Sequence, residues 1–258
     1  MDKAKRKQEK AGLIVFFVFI TCIAMTLLPA MAQDPTYHSF ADARVFLAIP
    51  NCCNVLSNLP FLIVGGAGMF YLLRRKSWQS SAFFSGYFLF FTGIFFTGIG
   101  SAYYHLQPDN ATLVWDRLPM TIAFMSFFSI IISDCIHVKR GKQLLFPLLF
   151  IGIISVYYWQ YTEQQGHGDL RLYALVQFLP MLLIPFMLLS FRETAAASKY
   201  TWLMLLAYAV SKLLETLDAP VFEYSCFISG HTLKHLFAAL APAFFLWGMY
   251  RRPEQNPK

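Results

Sequence analysis

The chain has 258 residues, of which 57% are hydrophobic and only 14% charged. A soluble domain carries about 25% charged residues, so this composition excludes an ordinary soluble domain and points to a multi-pass membrane protein. The net charge of +7 would suit a nucleic-acid partner, but its distribution in short clusters between apolar runs argues against one.

Apolar runs fall at roughly 11–32, 51–73, 82–104, 115–136, 144–161, 170–191, 200–217 and 232–250. Most are long enough for a helix to cross about 30 Å of hydrocarbon, and no strand-like alternation suggests a barrel. The expected fold is all-α: a multi-pass transmembrane helical bundle with a seven-helix core, preceded by a signal peptide or an extra N-terminal helix. The first run follows "MDKAKRKQEK" and ends in "PAMAQDP", with Ala30 and Ala32 at the small-residue positions of a cleavage site. Residues 1–32 are therefore read as a signal peptide or an extra transmembrane helix, 33–250 as the seven-helix domain, and 251–258 as a polar tail.

The run 51–73 opens with Asn51, Asn54, Ser57 and Asn58. Amides at that depth need partners, and they serve as interhelical glue or as supports for a site. "VGGAG" at 64–68 reads as a packing surface. The run 82–104 ends at Ser101 and His105, four residues apart on one helix face. The next run opens with Asp116 and Arg117. The run 144–161 is the shortest. Glu215 and Asp218 close the run 200–217, where Glu215 either orients a histidine or pairs with Lys212. The last run begins "SGHTLKHLFAAL", and its His231 and His235 project from one face a turn apart.

Basic residues gather in the loops at 74–76, 137–142, Arg192 with Lys199, and 251–252, while the alternate connections are poor in Lys and Arg. This positive-inside pattern places the C-terminus in the cytoplasm and the loops near 33–50, 105–114, 162–170 and 218–230 on the exoplasmic side. The polar residues singled out above then lie at one leaflet. Cys22, Cys52, Cys53, Cys135 and Cys226 form no CxxC pair and read as buried free thiols, with a disulfide from Cys226 to Cys52 or Cys53 as the alternative.

That coincidence of depth suggests a chemistry. His105, His231 and His235 are candidates to hold one zinc ion with a fourth position open, as catalytic zinc sites do. Zinc lowers the pKa of its water to about 7; Asp116 would take the proton, and Ser101 would donate to a developing oxyanion. The bland readings are two interfacial histidines, an Asp116–Arg117 surface pair, and helix packing by Gly98, Gly100 and Ser101. His137 and His167 read as solvated, and His38 lies on the same side but outside the constellation.

"NVLSNLPF" (54–61), "GIGSAYYH" (98–105), "WDRLPM" (115–120) and the paired histidines at 231 and 235 resemble, in this order, the motifs of the alkaline ceramidase family. That family sits within the CREST group of seven-helix membrane hydrolases, which includes the progestin and adipoQ receptors. The resemblance runs from about 50 to 240. It implies a zinc ion on His105, His231 and His235, water activation by Asp116, and support of the substrate carbonyl by Ser101. It further implies hydrolysis of a ceramide or related N-acyl lipid drawn from the membrane, with no protein partner. Calcium binding through an acidic amino-terminal segment also follows from the resemblance. Here that segment offers Asp34 and Asp42, with Asn51 where the family commonly has an acid. Arg117 also departs from the pattern, which commonly carries an acid after the aspartate.

A seven-helix receptor or sensor on the same zinc scaffold is the alternative reading. A transporter would need charges at mid-depth or broken paired halves, and a serine hydrolase would need a G-x-S-x-G elbow; the sequence has neither.

Overall fold

A computed structural model describes residues 3–191, 194, 196 and 198–251, with side chains from residue 9 onward. The basic side chains at 3–8, Arg192, and the tail from 252 to 258 lie outside the described residues. All regular structure within them is helical, apart from one isolated bridge.

The helix α1 (Lys3–Leu27) is followed by a 3-10 turn (Pro35–His38) and a tight turn at 46–49. The short α2 (Cys52–Leu56) and α3 (Leu59–Arg74) make one span, broken at Ser57 and Asn58. After α4 (Lys76–Gln79) come α5 (Phe84–Leu106), α6 (Asn110–Cys135), α7 (Val138–Gln164), α8 (Arg171–Ser190) and α9 (Lys199–Thr216). The short α10 (Asp218–Ser225) leads into α11 (Gly230–Arg251).

Seven of these spans are long and apolar enough to cross a membrane: α1, α2 with α3, α5, α6, α7, α8 and α11. The eighth expected run, α9, has 18 residues but carries Lys199, Lys212 and Glu215. It packs along α11, with Lys212 and Glu215 paired against protein and Lys199 exposed at its start. The helix α7 runs to 27 residues, well beyond the expected 144–161. Its extra turns are polar: Lys139, Arg140 and Lys142 reach water at one end, and Thr162 and Glu163 bond to the loops and to Trp159 at the other.

The core is built on α6, the most enclosed span. It packs against α5, α7 and α8, while α3 lies on α5. Phe90, Phe91, Ile130, Ile131, Leu72 and Met187 fill its centre and are buried. A second cluster, with Tyr104, Leu113, Trp159 and Tyr173, sits at the end where the site lies. The "VGGAG" segment is a packing surface as expected: a side chain on Gly65 or Gly68 would strike Phe95 or Phe91 of α5. Gly98 faces Leu62 and the Asn58 carbonyl of the α2–α3 span, and Gly100 faces the backbone of α6.

Two features bear on access to the interior. The helix α1 is almost wholly exposed and lies mainly along α8, held by Lys10 Nζ on the Ser190 carbonyl and by the Leu170 amide on the Met31 carbonyl, 2.8 Å. The consecutive helices α8 and α9 pack on different neighbours, α6 and α7 on one side and α11 on the other. They barely touch, bridged by a Gln177–Tyr208 hydrogen bond of 3.1 Å.

Candidate metal and active centre

Three elements deliver the imidazoles and their supports to one end of the bundle. His105 sits in the last turn of α5, and His231 and His235 in the first turns of α11. All three are buried, and one nitrogen from each lies within 4.8 Å of the others. His105 Nε2 is 3.2 Å from His235 Nε2 and 3.3 Å from His231 Nε2. Zinc–nitrogen bonds of about 2.0–2.1 Å in a tetrahedron require nitrogen separations of about 3.3–3.4 Å. The two separations from His105 therefore stand at the spacing a tetrahedral cation demands, and a donor set of three imidazoles suits zinc.

The surrounding contacts fix the rings. Ser57 Oγ donates to the Asn54 carbonyl, 3.0 Å away, so its 2.8 Å contact with His235 Nδ1 has the ring as donor. That leaves the lone pair of His235 on Nε2, facing the cluster. Asn54 is itself held by Thr232, whose hydroxyl donates to its Oδ1 at 2.8 Å, and it donates to the Asp42 carbonyl at 3.3 Å. Asn58 donates to the Asn54 carbonyl, and Asn51 to the His105 carbonyl at 2.9 Å. The four polar residues of the α2–α3 span thus tie α5 and α11 to each other around the histidines. Phe40 from the loop covers the cluster, its ring centroid 4.6 Å from those of both His105 and His231.

Ser101 and Asp116 lie close to each other across the α5–α6 contact, both buried, and both line one cavity. Their closeness is set by backbone. Pro119 lacks an N–H, so the carbonyl four residues earlier, that of Trp115, has no helical donor. That same carbonyl is what a side chain on Gly100 would strike. Only a glycine beside Ser101 lets α5 approach the distorted turn that carries Asp116. The catalytic and packing readings of this stretch therefore describe the same contact.

Glu215 is committed to lysines and not to a histidine. It pairs with Lys212 and with Lys234 at 2.9 Å. Tyr37 adds a weaker hydroxyl contact at 3.4 Å; burial, and then the nearby Glu215 charge, hold the phenol protonated well above its ordinary range. Asp218 caps the start of α11 by accepting from the His231 amide at 2.7 Å.

A cavity of about 400 Å³ opens beside these groups. Its polar end is lined by Ser101, Asp116, Arg117, Lys234 and His235, and its far end by apolar residues including Phe90, Phe127, Ile184 and Pro242. One end is charged and the other oily, the shape of a site for a lipid with its reactive linkage at the histidines.

The expected calcium does not fit. Both oxygens of Asp42 are bonded by the Arg44 guanidinium at 2.7 Å, which holds its carboxyl below the usual range. Asn51 is spent on His105, and Asp34 caps the 3-10 turn through Thr36. His38 stays outside the cluster, between Tyr104 and Asn110. His137 caps α7, and His167 is exposed. All five cysteines are free, and Cys22 and Cys226 are exposed where burial was expected: the one lies on α1 and the other ends α10 in a left-handed conformation. Phe40, Tyr37 and Lys234 are the residues that sequence reasoning missed. The first two lie in an aperiodic loop, and Lys234 sat inside the quoted histidine motif with its pairing to Glu215 invisible.

An all-α membrane bundle with a buried three-histidine cluster, one member of which lines an amphipathic cavity, defines a membrane protein whose histidines could hold a metal ion. The family model described as Ceramidase matches residues 45–256, and the chain belongs to the ceramidase family. No curated protein matches it.

Proposed function

We propose that the protein is an integral membrane, zinc-dependent hydrolase that cleaves the amide bond of ceramide-type lipids to a sphingoid base and a fatty acid. The convergence of three buried histidines, with His235 lining an amphipathic cavity, carries this reading. Zinc held by His105, His231 and His235 supplies Lewis acidity and makes water nucleophilic near neutral pH. The carboxylate of Asp116 takes the proton of the attacking water and returns it to the leaving amine. Ser101, beside Asp116 in the cavity wall, turns its hydroxyl to the carbonyl oxygen as charge develops there. The apolar end of the cavity holds the acyl chain and excludes bulk water, and Phe40 shields the cluster from the loop side.

In this proposal residues 33–250 form the hydrolase unit, 1–32 a signal peptide or extra helix, and the segment from 251 a polar tail. The site lies at the end of the bundle with the Lys- and Arg-poor loops, so we assign it to the exoplasmic side, with the C-terminus in the cytoplasm. Purified protein is expected to contain one zinc per chain. His231→Ala, inserted normally, is expected to lose zinc and to hydrolyse ceramide only at background. Full activity in that variant would sink the proposal.

A further inference from the structure

Arg117 is a buried cation that forms no ion pair among the described residues. An arginine cannot discharge itself by losing a proton, so a buried guanidinium needs a partner. The other buried or half-buried cations near this end have one: Arg171 has Asp169, and Lys212 and Lys234 share Glu215. Arg117 is only 5% exposed, yet the described residues offer it no ion pair. Its Nη2 donates to Gln33 Oε1 at 2.5 Å, a neutral acceptor, and its Nη1 has no partner. The guanidinium is stacked against Trp159, with its carbon 4.1 Å from the ring centroid, and packed by Tyr173 at 4.7 Å and Tyr37 at 5.8 Å. These rings hold the fork in place without neutralising it. Arg117 lines the cavity together with Gln33, Asp34 and Tyr37 of the loop, at the end away from the apolar floor. The Asp34 carboxylate at this rim is engaged by the Thr36 amide and hydroxyl, and the neighbouring Asp116 carboxylate acts on Arg117 through space, with no hydrogen bond or salt bridge joining the two.

We propose that Arg117 receives an anionic group, a carboxylate or a sulfonate, on the amine half of the substrate, so that this hydrolase prefers N-acyl lipids with an acidic headgroup over neutral ones. This rests on the amide-hydrolase reading above and names its substrate class. A lipid whose amide reaches the histidines with its acyl chain in the apolar floor has its headgroup directed to the loop end, where the free Nη1 supplies a charge-assisted donor. The fatty acid product carries a carboxylate too, but it forms at the histidines.

The test compares N-palmitoyltaurine, N-palmitoylglycine and neutral N-palmitoylethanolamine as substrates in mixed micelles, with palmitate as competitor. The wild type is expected to favour both acids in kcat/KM by about tenfold or more, mainly through KM. Arg117→Gln is expected to collapse that ratio, and Arg117→Lys to keep part of it. A neutral amide cleaved as well as the acids by the wild type overturns the proposal, whatever the variants do. So does a ratio that Arg117→Gln leaves intact, or palmitate inhibition that alone depends on Arg117, which would assign the residue to the product. Binding of the same lipids, followed by tryptophan fluorescence, separates the two readings. Arg117-dependent binding of the acids with no cleavage of any amide supports this proposal and removes the hydrolase.

Discussion

His235 presents its Nε2 to the cluster because its other nitrogen is occupied by Ser57, and that single contact sets its tautomer. Loss of such an outer partner typically lowers metal affinity about 10- to 100-fold. Ser57→Ala is expected to weaken zinc binding by that amount in a chelator competition, while Ser57→Thr retains it. Equal affinities in wild type and Ser57→Ala would reduce Ser57 to helix packing. The histidines themselves were legible in the sequence because helical spacing and membrane topology together put them at one depth. Ser57 was legible only as one of four polar residues of undecided role, since sequence cannot tell which face of a broken helix meets α11. Phe40, Tyr37 and the Lys234–Glu215 pair were not legible, because loops have no period and tertiary pairing has no local signature.

The α5–α6 contact shows how an element can be shaped by a residue it lacks. Gly100 leaves room for the carbonyl that Pro119 strips of its helical donor, and the contact brings Ser101 against Asp116. A methyl group at Gly100 is an overpacking mutation, worth about 1–3 kcal/mol of destabilisation. Gly100→Ala is expected to lower the thermal midpoint and to depress kcat more than Gly98→Ala, whose nearest obstacle is the flexible Leu62 side chain. Equal effects of the two would mean that the approach of α5 to α6 is not what positions Asp116. The spans were legible from apolar length, but their ends were not. The polar turns of α7 and the separate α10 depend on interfacial solvation and on the loop between α9 and α11, neither of which a hydropathy pattern records.

At the scale of the molecule, the bundle is tightly packed around α6 and sparsely packed between α8 and α9. The sparse seam was not legible in the sequence, since it follows from which partners two adjacent helices choose. Cysteines placed at 177 and 208, in a background where Cys22 and Cys226 are serine, are expected to form a thiol-reagent bridge that stops cleavage of long-chain amides in vesicles. A short, water-soluble amide would still be cleaved. An unchanged vesicle rate in the bridged protein would show that the seam plays no part in access.

The sparse seam beside the cavity also bears on how turnover is counted. If a lipid slides sideways from the bilayer to the histidines, the quantity that sets the rate is its mole fraction in the leaflet, and diluting it with inert phospholipid slows the reaction at constant bulk concentration.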